Sequence, residues 1–217
     1  MGGWGAPTTL RGFPYPTNTH MNTCFEEIIA KVEPIADRSY GLKYRCALTL
    51  KDGTFLPCAV LLSKSRLVEL AKRRIKEEMR GKGSLSAPDP YGRIVSTFVS
   101  SANNIADYSV RSASESKYAP PLSLLSQIHG ETFMAWTGWV FRMKDGALFS
   151  YGSPFNMEFL QLPEEYDFKD VAEVINHSYV DKNGLVSSLR SGPAPVGYVD
   201  SVLRERIFFT CAVDGII

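Results

Sequence analysis

The chain of 217 residues is 44% hydrophobic and 22% charged, which gives it enough apolar matter for a core and excludes a collagen-like, low-complexity or wholly disordered polymer. Its formal net charge is +1, so no global field recruits DNA, a membrane or an acidic partner, and any such attraction has to be local. No apolar run approaches the roughly 18 residues needed to span a bilayer, and Cys24, Cys46, Cys58 and Cys211 include no Cys-x-x-Cys pair, which excludes a zinc ribbon and a thioredoxin-like motif.

Residues 1–21, rich in Gly, Pro and Thr, read as an extended N-terminal arm. The arm has neither the basic start nor the apolar centre of a signal peptide, so a cytoplasmic protein with reduced, core-packed thiols is expected. Residues 22–217 read as a single α+β domain. Asn22 or Thr23 caps a short helix, CFEEIIAKV, in which Phe25, Ile28, Ile29 and Val32 share a face and which Pro34 ends. Tyr44 to Leu62 then changes period and reads as a hairpin around Asp52-Gly53. A three-residue loop with Gly53 at positive φ places Cys46 opposite Cys58, whereas a two-residue turn places it opposite Ala59.

A helix follows in KSRLVELAKRRIKEEMRG, where Leu67, Leu70, Ala71, Ile75 and Met79 make one apolar face and Gly81 marks the stop. Residues 81–92 read as a loop, 93–101 as a strand, and the polar, serine-rich stretch 101–121 as a flexible or inserted loop. From Glu131 to Met143 the pattern is a long strand. Phe133, Ala135, Thr137, Trp139 and Phe141 lie on one face, and Met134, Trp136, Gly138, Val140 and Arg142 on the other. Two largely apolar faces predict a central strand covered on both sides.

Lys144-Asp145-Gly146 makes a second hairpin loop, leading into ALFSYGSPF and MEFLQLP. YDFKDVAEVINHSYV reads as a helix with Phe168, Val171, Val174 and Ile175 inward, the KNG at Lys182 as a turn, SGPAP as a loop and ERIFFTCAV as a terminal strand. The sum is an α+β fold, a mostly antiparallel sheet built from hairpins with about three helices packed on it. The order of hairpin, Lys-Asp-Gly loop and helix recurs at 44–80 and 133–178 and suggests a weak internal repeat.

Three kinds of chemistry compete. His129-Gly130-Glu131 matches the His-x-Glu half of the zinc nucleoside-deaminase signature, but no Pro-Cys-x-x-Cys follows to complete that zinc site. Glu173 and His177, four apart on the expected helix, share a side as metal ligands, with Asp170 one turn earlier. His129 or Glu131 from the sheet completes a nitrogen and oxygen set suited to zinc, manganese or iron around an activated water. The bland alternative is a solvated helix-surface pair. No Gly-x-Ser-x-Gly elbow exists, and Ser114-x-x-Lys117 lies in a polar stretch where the lysine stays protonated.

The strongest local signal is charge. Between Lys64 and Lys82 eight basic residues face three glutamates, so this segment is +5 and the rest of the chain −4. Arg66, Arg73, Lys76 and Arg80 follow one stripe suited to phosphates, although Glu69 and Glu77 also stand where they can pair with Arg73. No aromatic is interleaved with these charges for base stacking. The cluster around Tyr151 and Phe155 is either a recognition surface or core. The expected function is therefore that of a non-enzymatic binding protein, of accessory, inhibitory or immunity type, which takes a protein partner through Arg66, Arg73, Lys76, Arg80, Tyr151 and Phe155. A metal-dependent hydrolase using His129, Glu131, Glu173 and His177, and a nucleic-acid binder using helix 64–82, are the alternatives. No cofactor is assigned.

Overall fold

The computed structural model describes residues 21–38, 40–79, 103–132, 136–153, 158–189 and 203–216. Of the expected arm at 1–21, residues 1–20 lie outside the described residues, as do the loop at 81–92, the strand at 93–101 and the SGPAP loop. What is described is an α+β fold with three helices and several mostly antiparallel sheets joined by hairpins.

Helix α1 (Met21–Ile29) starts just before the expected caps, so Asn22 and Thr23 lie in its first turn. Phe25 and Ile28, three apart, are each 2% exposed and carry its apolar face into the core. Strand β1 (Pro34–Asp37) begins at the proline that ends the helical stretch and pairs with β2 (Gly41–Leu50). A proline suits this edge, because it has no N–H to give to a ladder.

The first hairpin joins β2 to β3 (Phe55–Ser63) through the three-residue loop, with Gly53 at φ +91° and its N–H donating to the Leu50 carbonyl. Yet Cys46 faces Ala59, not Cys58. The register slips between Cys46 and Leu48 because β3 carries one extra residue there, and Pro57, which cannot donate, sits in that bulge. Its effect on the core is a phase change. Leu56, Ala59 and Leu61 face α1 together with Cys46 and Leu48, while Cys58, Val60 and Leu62 face the opposite side against Phe159.

Helix α2 (Lys64–Met79) follows β3 without a loop and docks through Leu67 and Leu70, the latter 5% exposed. Of the stretch expected to be a flexible loop at 101–121, residues 104–114 instead join the main sheet: β4 (Asn104–Ile105), a one-turn 3-10 helix at Asp107–Ser109, and β5 (Val110–Ser114). Val110 is buried, whereas Arg111, Ser112 and Ser114 are exposed, so polarity here marks an outer strand. β5 pairs with β2 along Ala47–Leu50, beyond the reach of β1. A short α3 (Leu122–Leu125) then caps the second core with Leu124.

The second sheet is centred on β6 (Thr137–Met143), flanked by β7 (Leu148–Ser153) and β9 (Val171–Asn176), with β8 (Leu160–Gln161) between them in the chain. Trp139, Val140 and Phe141 are all fully buried, as two apolar faces require. The Lys144-Asp145-Gly146 loop forms as expected, with Gly146 at φ +91°. The helix expected at 166–180 does not exist. After a 3-10 turn at Phe168–Asp170 the chain runs as β9 and then β10 (Ser178–Val180), which pairs with β11 (Val186–Ser188) across the turn at Lys182. Val171, Val174 and Ile175 are β-branched, stiff at χ1, and fill the free side of β6. The hairpin-then-helix order at 44–80 is thus not repeated at 133–178.

Finally β12 (Arg204–Glu205) pairs with β8, and β13 (Phe209–Val213) enters the main sheet parallel to both β3 and β4. The main sheet order is β1, β2, β3, β13, β4, with β5 beside β2.

Two predictions follow from this packing. Gly138 pairs with Gly152, and the Trp136 indole lies on the two of them; a Cβ at Gly152 would stand 1.8 Å from Trp136 Cζ2. Gly152→Ala is expected to displace the indole and destabilise by about 1–3 kcal/mol, read by urea unfolding and tryptophan emission; an unchanged midpoint and spectrum would contradict this packing. All four cysteines are free, and burial pushes the Cys46 thiol up and that of Cys211 up to about 12. Iodoacetamide at about pH 8 is expected to modify the half-buried Cys24 in the native protein and to spare Cys46 and Cys211 until denaturant is added, with labelling mapped by mass spectrometry.

Candidate functional site

Three places in this fold gather polar side chains. The first is the corner where β9 gives way to β10. Loss of the expected helix removes the shared side on which Glu173 and His177 were to act as metal ligands. Glu173 lies exposed on β9 and pairs across the sheet with Arg142 at 3.3 Å. His177 has φ +55°, the left-handed region that non-glycine residues rarely adopt, and this turns its ring away from the strand.

The ring meets the segment 129–132. Thr132 Oγ1 is 2.9 Å from His177 Nδ1 and accepts the Gly138 N–H at 3.0 Å. Gly130 lies so close that a Cβ there would come within 2.9 Å of the imidazole. Asn176 ties the same loop down, donating to the Gln127 carbonyl at 2.7 Å and accepting the His129 N–H at 3.1 Å. The structure thus sets Gly130 against His177, and the side chain bonded to the imidazole at Nδ1 is that of Thr132, a residue absent from the expected ligand set. Among the described residues no three His, Cys, Asp or Glu side chains are placed to hold a metal ion.

The second place is the outer face of α2. Arg66, Arg73 and Lys76 are exposed along it, and Arg80 lies outside the described residues. Arg66 pairs with Glu69 at 3.6 Å, and Val68 next to them is 45% exposed. At the helix start Lys64 bonds to Asp214 at 3.2 Å and to Asp107 at 3.5 Å, which holds its pKa above the usual lysine value despite some burial. The aromatic cluster is core on its described side: Tyr151 is half-buried, edge-on to Trp139 at 5.6 Å, and donates to Glu205. Phe155 lies outside the described residues. Ser114 and Lys117 are exposed, and the serine turned inward is Ser116, which donates to the Pro57 carbonyl.

The third place is the junction of the two sheets. Arg45, 4% exposed, donates to the Glu158 carbonyl at 3.2 Å, and Lys43 bridges Glu158 at 2.9 Å and Asp37 at 3.2 Å. Burial alone lowers the pKa of Lys43, but the two carboxylates hold it above its ordinary value. Alongside, Lys117, Tyr118, Gln161, Tyr166 and Phe168 are among the residues that line a cleft of about 290 Å³. Arg204 and Arg206 reach Gln161 from β12 and the residue after it. The readable signal for this third place is the Arg-Glu-Arg run at 204–206, where i and i+2 share a strand face.

The corner and the surface pair respond differently to substitution. Thr132→Val strands the Gly138 N–H and the His177 ring nitrogen and is expected to cost about 1–3 kcal/mol. Glu173→Gln, which removes an exposed pair, is expected to cost under about 1 kcal/mol. Chemical denaturation of both variants checks the order, and equal effects would contradict it.

Comparison with known proteins finds no matching family model, no matching curated protein and no matching solved structure.

Proposed function

We propose that this chain works as a binding protein, and that its partner is a protein presenting an acidic surface to the outer face of α2. The observation that supports the reading is the exposure of Arg66, Arg73 and Lys76 along one side of a 16-residue helix whose other side is docked through Leu67 and Leu70. The positive charge is concentrated there, since residues 64–82 carry +5 in a chain whose total is +1. Such a stripe steers an oppositely charged partner and orients it. Arginine adds bidentate hydrogen bonding to carboxylates.

A protein partner is preferred over nucleic acid on two grounds. α2 contains no aromatic residue on which a base could stack. Val68 adds an exposed apolar contact beside the charges, the mixture found in protein interfaces. Accessory or inhibitory action, in which binding is itself the function, fits this arrangement.

The test compares the wild type with the triple variant Arg66→Glu, Arg73→Glu, Lys76→Glu, each immobilised and challenged with lysate from the source cells. Proteins retained by the wild type are expected to be acidic, to elute between about 0.05 and 0.5 M salt, and to be absent from the variant. Retention of the same proteins by both forms would overturn the reading. Salt-dependent anisotropy of a labelled DNA duplex, lost in the variant, would instead assign the helix to nucleic acid.

A further inference from the structure

Guanidinium groups repel one another, and a fold that brings two together normally supplies a carboxylate between them. The strand pair β8–β12 does not. Arg204 faces Gln161 in register, with Nε at 3.3 Å and Nη2 at 3.2 Å from Gln161 Oε1. Arg206, two residues on and so on the same side, places Nη1 at 2.8 Å from that same oxygen. Two cations thus share one neutral amide oxygen. Glu205, between them in sequence, faces the other way and accepts from Ser153 at 2.8 Å. Among the described residues neither guanidinium has a carboxylate within salt-bridge distance.

The surroundings hold these cations in place without neutralising them. The Arg206 guanidinium lies 4.2 Å from the centroid of the Tyr118 ring, and Lys117 Nζ is 5.1 Å from the same centroid. Tyr118, Lys117 and Gln161 are at the same time walls of the cleft of about 290 Å³. Arg204 thus reaches Gln161, and Arg206 both Gln161 and Tyr118, two walls of a cavity of small-molecule size whose lining also includes Lys117.

We propose that this junction is a binding site for an oxyanion, the phosphate or carboxylate head of a small organic molecule. Arg204 and Arg206 receive the head, each offering N–H groups in the planar fork that matches such anions, and Lys117 adds charge. The body of the ligand lies along Tyr118 toward Tyr166 and Phe168. The cleft lining also bears Glu164, Glu165, Asp167 and Asp170, with Lys169, so its carboxylates disfavour a ligand that carries a second negative charge. This site is separate from the α2 face and stands or falls without it.

The test is calorimetric titration of the full chain with phenyl phosphate, benzoate and inorganic phosphate at ionic strength fixed by potassium chloride. Saturable binding of at least one of the three is expected. Tighter binding of phenyl phosphate assigns a phosphoryl head, and tighter binding of benzoate a carboxylate. Loss of one charge-assisted contact in Arg204→Gln is expected to weaken binding by about tenfold or more. Arg206→Gln is expected to do the same, whereas Arg111→Gln on the exposed face of β5 leaves it unchanged. Circular dichroism confirms that each variant is folded, and the exposed Arg204 serves if Arg206→Gln is not. Absence of saturable binding in the wild type, or undiminished binding by folded Arg204→Gln, overturns the proposal.

Discussion

The parallel pairing of β13 with β3 is the constraint on which the rest depends. It joins Phe209–Val213 to Ala59–Ser63, partners separated by most of the chain. It inserts a strand between β3 and β4, and without it the residues from 104 onward would have no place in the main sheet on that side. The Ser63 hydroxyl donates to the Ile216 carbonyl at 2.6 Å, which locks the end of β13 at the point where α2 begins. Because β13 is fixed, the residues just before it must cross the junction. Phe208 then packs on Phe159 at 5.7 Å, and the Arg206 N–H donates to the Phe159 carbonyl.

Charge is treated in two ways within that junction. Arg45 and Glu158 are almost wholly buried, and each keeps one polar atom, Nε and Oε2, without a protein hydrogen bond. The Glu158 carboxylate pairs with Lys43 while its carbonyl accepts from Arg45; buried charges are expensive to desolvate, so this cluster specifies how the sheets meet more than it stabilises them. Arg204 and Arg206 lie nearer the surface, where water can screen like charges. The two arrangements flank Phe159, whose ring is fully buried.

Much of this was legible, and the failures share a cause. The Lys-Asp-Gly loops at 51–53 and 144–146 were read correctly, since positive φ at the glycine is a local demand that context rarely overrides. The two-faced apolar pattern of β6 also implied a central strand, which needs a neighbour on each side. That neighbour was concealed: Phe168, Val171, Val174 and Ile175 satisfy a helical spacing, yet the hydrogen-bonding edge of β6 decided their state. β5 was hidden for the opposite reason. One buried valine in a serine-rich run carries almost no period-two signal when the outer face meets solvent. The bulge at Pro57 was missed because loop length sets register only until the ladder slips. At the candidate sites, the Thr132 contact depends on a left-handed histidine that no spacing rule announces.

The place of β13 also bears on how the polypeptide survives before it is folded. Until Phe209–Val213 arrive, β3 presents an unpaired edge along Ala59-Val60-Leu61-Leu62, an uncharged and wholly apolar run. Such an edge is a template for pairing with other chains. A nascent or proteolytically shortened molecule therefore exposes its most aggregation-prone segment for as long as the late partner is missing, and the quality-control machinery of the cell would meet this protein first at β3.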